Sequence, residues 1–111
     1  MNKVILMGNV GADPQIRYVE GRPVAEFSLA TSEPPRRRTD GTEIAERTEW
    51  HRLVMWDRNA EIAEKYVRKG SRLLVEGKLR TRTWEDRTTL KHTVTEIYVD
   101  RFELISGPRQ P

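Results

Sequence analysis

Seven residues in the middle of the chain, Trp50-His51-Arg52-Leu53-Val54-Met55-Trp56, alternate in a way that suits only a strand with two unlike faces. Successive side chains of a strand point to opposite sides of a sheet. One face therefore carries Trp50, Arg52, Val54 and Trp56, and the other His51, Leu53 and Met55. Turning the tryptophans inward would take Arg52 with them, and burying an unpaired charge is very costly. Leu53 and Met55 are thus the core candidates, and the tryptophans are expected on the wet side. A chain organised around such a strand is a sheet protein that presents flat aromatics and a cation to its surroundings.

The rest of the 111 residues supplies the partners of that strand. Val4 to Met7 reads as a strand closed by the turn signals of Gly8 to Pro14. Ile16 to Val19 and Val24 to Thr31 flank Glu20-Gly21-Arg22-Pro23 as a hairpin, in which Ala25, Phe27 and Leu29 alternate with Glu26 and Ser28. Residues 33–49, with Pro34-Pro35 at the base, read as a long mobile loop, a length that usually carries function. Between Asp57 and Lys69, Ile62, Ala63, Tyr66 and Val67 recur at helical spacing, and Gly70 supplies the stop. Leu73 to Trp84 returns to a strand, with Leu73, Val75 and Leu79 on one side and Lys78, Arg80, Arg82 and Trp84 on the other. Residues 88–105 form the last β stretch, where a change of parity predicts a bulge near Asp100. Tyr18 and Tyr66, among apolar neighbours, are expected to pack. The pattern predicts an all-β fold: a five-stranded Greek-key barrel of the oligonucleotide-binding (OB) kind with one short helix. One domain is expected over residues 1–105, followed by a short flexible end at 106–111.

Charge is where function shows. The net charge is only +3, from 20 Lys+Arg against 17 Asp+Glu. Residues 50–84 hold 9 of the basic and 4 of the acidic side chains, so this one segment carries the excess, together with all three tryptophans. Cations interleaved with aromatics suit unstacked bases, because every base has a π-face on which an indole can stack. Trp50, Trp56 and Trp84 are the expected stacking platforms. Arg52, Lys78, Arg80 and Arg82 are the expected phosphate contacts, since same-face strand residues recur about every 7 Å and can track an extended backbone. Arg36, Arg37 and Arg38 are a possible loop contact, offset by Asp40, Glu43, Glu46 and Glu49.

Other chemistries find little to work with. There is no cysteine for a disulfide, thiol catalysis or a Cys-based zinc site, and His51 and His92 have no metal-ligand spacing around them. No phosphate-cradling glycine loop or nucleophile elbow occurs. The expectation is no enzyme, no catalytic residue, no metal and no cofactor. The opening apolar run, Val4 to Met7, is far shorter than a signal peptide or a membrane span, so a cytoplasmic protein with no membrane association is expected.

Several blocks closely resemble the bacterial single-stranded DNA-binding protein family. They are Asn2 to Pro14, Leu29-Ala30-Thr31-Ser32-Glu33, Thr48-Glu49-Trp50-His51-Arg52, Tyr66 to Ser71 and Val75 to Trp84. The resemblance implies an OB fold, no enzymatic activity, and a homotetramer that binds and protects single-stranded DNA in replication, recombination and repair. It implies base stacking at Trp50, Trp56 and Trp84 and basic contacts at Lys3, Arg52, Lys69, Arg80 and Arg82. It also places His51 at a subunit interface and pairs the first strand, with Val4 and Leu6, across one. Two departures stand out: Pro34-Pro35-Arg36 replaces a stacking aromatic of many members, and no acidic-tip tail follows Ser106, so recruitment of replication and repair proteins is not carried over. Two other readings share the features: a dimeric primosomal-type OB protein of replication restart, and a module whose basic face docks an acidic protein.

Overall fold

A computed structural model describes residues 1–108. The elements in chain order are β1 (Val4–Val10), β2 (Gln15–Val19), β3 (Arg22–Glu33), β4 (Arg36–Arg37), β5 (Glu43–Ile44), β6 (Arg47–Trp56), α1 (Arg58–Tyr66), β7 (Arg72–Glu85) and β8 (Lys91–Ser106). The main sheet runs β1-β7-β8-β6-β3-β2, and β1 returns to pair with β3 through Asn9↔Ala30 and Val10↔Leu29. Five strands therefore close a ring, as the alternation predicts, and β2 lies outside it as the second arm of a hairpin. The pairings are antiparallel except β6 with β8.

The barrel interior is filled by the residues that period two directs inward. Ala25, Phe27 and Leu29 from β3, Leu53 and Met55 from β6, Leu73 and Val75 from β7, and Ile97 and Val99 from β8 are all buried. Ala60 and Ala63 of α1, with Val67 just beyond it, join the same core. The helix ends at Tyr66, short of the predicted Lys69: Val67 is already extended, and its N–H donates to the Ala63 carbonyl. The bulge falls where the parity change predicts it, because Gly77 faces Val99 while Glu76 faces Arg101, leaving Asp100 as the extra residue. Gly77 fits this crossing for lack of a side chain, since a Cβ there would lie 2.3 Å from the Tyr98 carbonyl oxygen.

Several expectations are revised. Beyond Lys78 every residue of β7 is exposed, and with β8 it projects as a two-stranded ribbon. Leu79, expected inward, is consequently exposed. Tyr18 and Tyr66 are also exposed, one on the outermost strand and one on the outer side of α1. Residues 33–49 are partly built: β3 runs on to Glu33, β6 starts at Arg47, and between them β4 and β5 pair as a small hairpin arm. On β1 the alternation turns Val4 and Leu6 inward against the core and leaves Ile5 and Met7 exposed. From Val4 to Gly8 this strand has a neighbour on one side only, β7. Ser106 closes β8, and residues 109–111 of the predicted flexible end lie outside the described residues. Among the described residues no helix is long and apolar enough to cross a membrane.

Candidate nucleic-acid interface

Outward residues of β2, β3, β6 and β8, linked by ion pairs to Arg82 of β7, form one continuous face, and the ribbon extends it. Trp50 stands on β6 opposite Ala30 and is 61% exposed. Its ring lies over Gly11, where an added Cβ would sit 2.4 Å from Trp50 Cζ3. The missing side chain is what lets the indole rest on backbone at the barrel rim.

Trp84 is 45% exposed on the ribbon and supported differently. It stacks on its cross-strand partner His92 with ring centroids 4.4 Å apart and planes 20° from parallel. His92 Nε2 in turn pairs with Asp86 Oδ2 at 2.7 Å. The other oxygen of Asp86 accepts the Thr88 and Leu90 N–H groups at 2.8 and 3.0 Å and the Thr88 hydroxyl at 2.7 Å. These bonds, His92 first and Thr88 next, hold the Asp86 carboxyl down to about 2.

Trp56 departs from expectation. It is only partly exposed, because the Arg22 guanidinium sits 4.7 Å from its ring centroid. Asp57 holds that guanidinium in two places, from Nε to Oδ1 at 3.0 Å and from Nη2 to Oδ2 at 2.6 Å. On that side Trp56 presents a planar cation in place of a bare indole.

The expected phosphate contacts divide into three kinds. Arg52 and Arg82 lie on the face but are already engaged. Arg52 donates through Nε to Glu96 at 2.7 Å and through Nη2 to Glu26, and Arg82 Nε donates to Glu96 at 2.9 Å. Glu96 is 2% exposed; burial alone would raise its carboxyl, but the bonds from Arg82 and Arg52 outweigh that and hold it below the ordinary glutamate range. On the opposite side of Glu26, Arg17 donates through Nε and Nη2 at 3.0 and 2.6 Å. Arg80 lies over the Tyr98 ring, 5.2 Å from its centroid, with the half-buried Lys78 as its neighbour on the same side of β7.

The remaining predicted residues stand elsewhere. Lys3 pairs with Glu76, which also takes Arg101, so it belongs to a cluster of its own. Lys69 is exposed, and its backbone N–H donates to Asp13 at 2.7 Å. Arg36 and Arg38 are exposed on the β4–β5 arm, and Arg37 pairs with Glu43 at 3.1 Å. His51 is half-buried and hydrogen-bonds Thr31 Oγ1 at 2.8 Å. Sequence reasoning missed Glu26, Glu96, Arg17, Arg22, His92 and Asp86 as members of the face. Glu26 was visible only as a polar position in an alternating strand. Among the described residues no group of His, Asp and Glu is arranged to hold a metal ion.

Comparison with known proteins gives a consistent result. The model of the single-strand binding protein family matches residues 1–105. The chain is 50% identical over 107 residues to a single-stranded DNA-binding protein of Bacteroides thetaiotaomicron, a match covering 96% of this chain and 66% of that relative's length. The solved structure of a Plasmodium falciparum SSB in complex with single-stranded DNA superimposes with a TM-score of 0.81 at 39% identity, covering 96% of this chain and 94% of that one.

Proposed function

The chain belongs to the single-strand binding protein family, and on that premise we propose that it binds and protects single-stranded DNA with little regard to sequence, in replication, recombination and repair. The observation that carries the reading is the pair of exposed indoles, Trp50 and Trp84, set at the barrel rim and on the ribbon with Arg52, Arg80 and Arg82 between them. Each indole has one side supported and the other free for a base, and stacking of this kind contributes about 1–3 kcal/mol per base. Arg52, Lys78, Arg80 and Arg82 meet the phosphates between the platforms. The exposed Arg36 and Arg38 of the β4–β5 arm and Lys69 add contacts at the periphery. Binding and protection need no catalytic residue or cofactor, so the protein acts as a binding protein and not as an enzyme, in the cytoplasm.

Self-assembly belongs to the same proposal. The open side of β1 and the exposed Ile5 and Met7 offer a strand edge and an apolar strip that a second copy can cover, in a homotetramer. Tryptophan emission during titration with oligo-dT tests the binding. Strong quenching by the single strand, weak response to a matched duplex and weakening with salt are expected, and absence of quenching at low salt overturns the reading. Sedimentation tests the assembly: a stable dimer would point to the primosomal-type relative instead.

A further inference from the structure

Five charged side chains cross the wet face in alternation: Arg17 on β2, Glu26 on β3, Arg52 on β6, Glu96 on β8 and Arg82 on β7. Three guanidinium groups against two carboxylates leave a single net positive charge where the proposed function needs phosphates to bind. The two carboxylates are not alike. Glu96 is buried and joins Arg52 to Arg82 from beneath, so it fixes the height and spacing of both. The side chain of Glu26 keeps 15% of its exposure, and its partners Arg17 and Arg52 keep 58% and 43% of theirs. Both oxygens of Glu26 are occupied, one by Arg17 and the other by Arg52.

A phosphodiester that approaches Arg52 or Arg17 therefore meets a carboxylate already holding the same donors. Resting on the single-stranded DNA reading, we propose that Glu26 is a built-in competitor for the phosphate backbone. It holds Arg17 and Arg52 in place when no strand is bound and yields them to phosphate only in part on binding, at a cost of about one phosphate contact, which lowers affinity and keeps the bound strand exchangeable. A guanidinium has five N–H donors, and Arg52 uses only two of them in the ladder. A phosphate can thus engage Arg52 before Glu26 lets go, so exchange needs no bare intermediate.

The test is the salt dependence of binding to a dT oligonucleotide, read by tryptophan quenching, in the wild type, Glu26→Gln and Glu26→Ala. Each phosphate neutralised on a single strand contributes a slope of about −0.7 to log K against log salt. If Glu26 competes, both variants gain about one such contact. Their slope steepens by about 0.7, and with the curves meeting near ~1 M salt they bind about fivefold more tightly at ~0.1 M. Gln keeps the shape and one acceptor, Ala removes both, and melting curves establish that each variant is folded. An unchanged slope with equal or weaker affinity in both folded variants overturns the proposal and makes Glu26 a positioning residue for Arg52. A wild type that does not bind the oligonucleotide overturns the single-stranded DNA reading itself, and the competitor with it.

Discussion

The two exposed indoles of the wet face are supported by opposite means. Trp50 rests on backbone: it pairs with Ala30 of β3, which pairs in turn with Asn9 of β1 where the ring of strands closes, and its ring lies over Gly11 at a position no side chain can share. Trp84 rests on another ring, His92, on a ribbon that has left the barrel, and His92 is held by a single carboxylate at the turn. One platform is part of a closed sheet and is presented without ordering cost. The other depends on side-chain contacts that solvent reaches from both faces. Preorganised groups lose less freedom on binding, so under the proposed function the rim indole is expected to be the stronger anchor and the ribbon indole the more adaptable one.

Removing the indoles tests that ranking most directly. Trp50→Ala is expected to cost about 2–3 kcal/mol of oligonucleotide affinity and Trp84→Ala about 1–2, within the usual range for a stacked base, as measured by titration against oligo-dT. Equal losses would erase the distinction between the two supports. Gly11→Ala attacks the rim support alone. The new methyl must displace the Trp50 ring, which is largely exposed and can swing aside, so stability should change by about 0.5 kcal/mol at most, and the emission of Trp50 should shift while Trp84 still quenches on binding. His92→Ala attacks the ribbon support alone and should cost about 0.5–1.5 kcal/mol, the size of an aromatic pair contact. His92→Phe, which keeps the stack and loses the Asp86 bond, should recover most of it.

Local alternation made the interior readable, while long-range pairing hid much of the site. Leu53 and Met55 are buried and Trp50 and Arg52 are outward because period two acts within one strand. The bulge at Asp100 showed for the same reason. Nothing local marks Glu96 as a buried charge, because what makes its burial tolerable is Arg52, 44 residues away, and Arg82 on the neighbouring strand. Trp56 was expected bare since Arg22, which covers it, comes from the start of β3, 34 positions earlier, and is fixed by Asp57 in a contact that only the sheet register creates. Leu79 follows the core parity of its strand yet is exposed, because period two tells which side a residue faces and not whether the barrel continues beneath it. The exposed indoles Trp50 and Trp84 were legible from type and position, and the residues that hold or mask the aromatics were not.

The smallest expected effect concerns the carboxylate that ties down the ribbon platform. Asp86 has its carboxyl held down to about 2, chiefly by His92 and then Thr88. A carboxyl whose folded value is depressed contributes its stabilisation fully above the unfolded value, near 4, and loses it as pH falls through the folded value. The contribution of Asp86 to the Trp84–His92 stack should therefore be intact down to about pH 4 and be lost toward pH 2, in step with protonation of Asp86. Other carboxyls, Glu96 among them, are also held below their ordinary range, so a global melt cannot isolate the effect. Side-chain NMR of Trp84 can. In Asp86→Asn its ring resonances should already be displaced at pH 7 relative to the wild type, and the difference between the two proteins should shrink below pH 4 as the wild-type carboxyl is protonated. A Trp84 signal indifferent to Asp86→Asn would mean that the ribbon strands alone hold the stack, and that the two platforms are more alike in rigidity than their supports suggest.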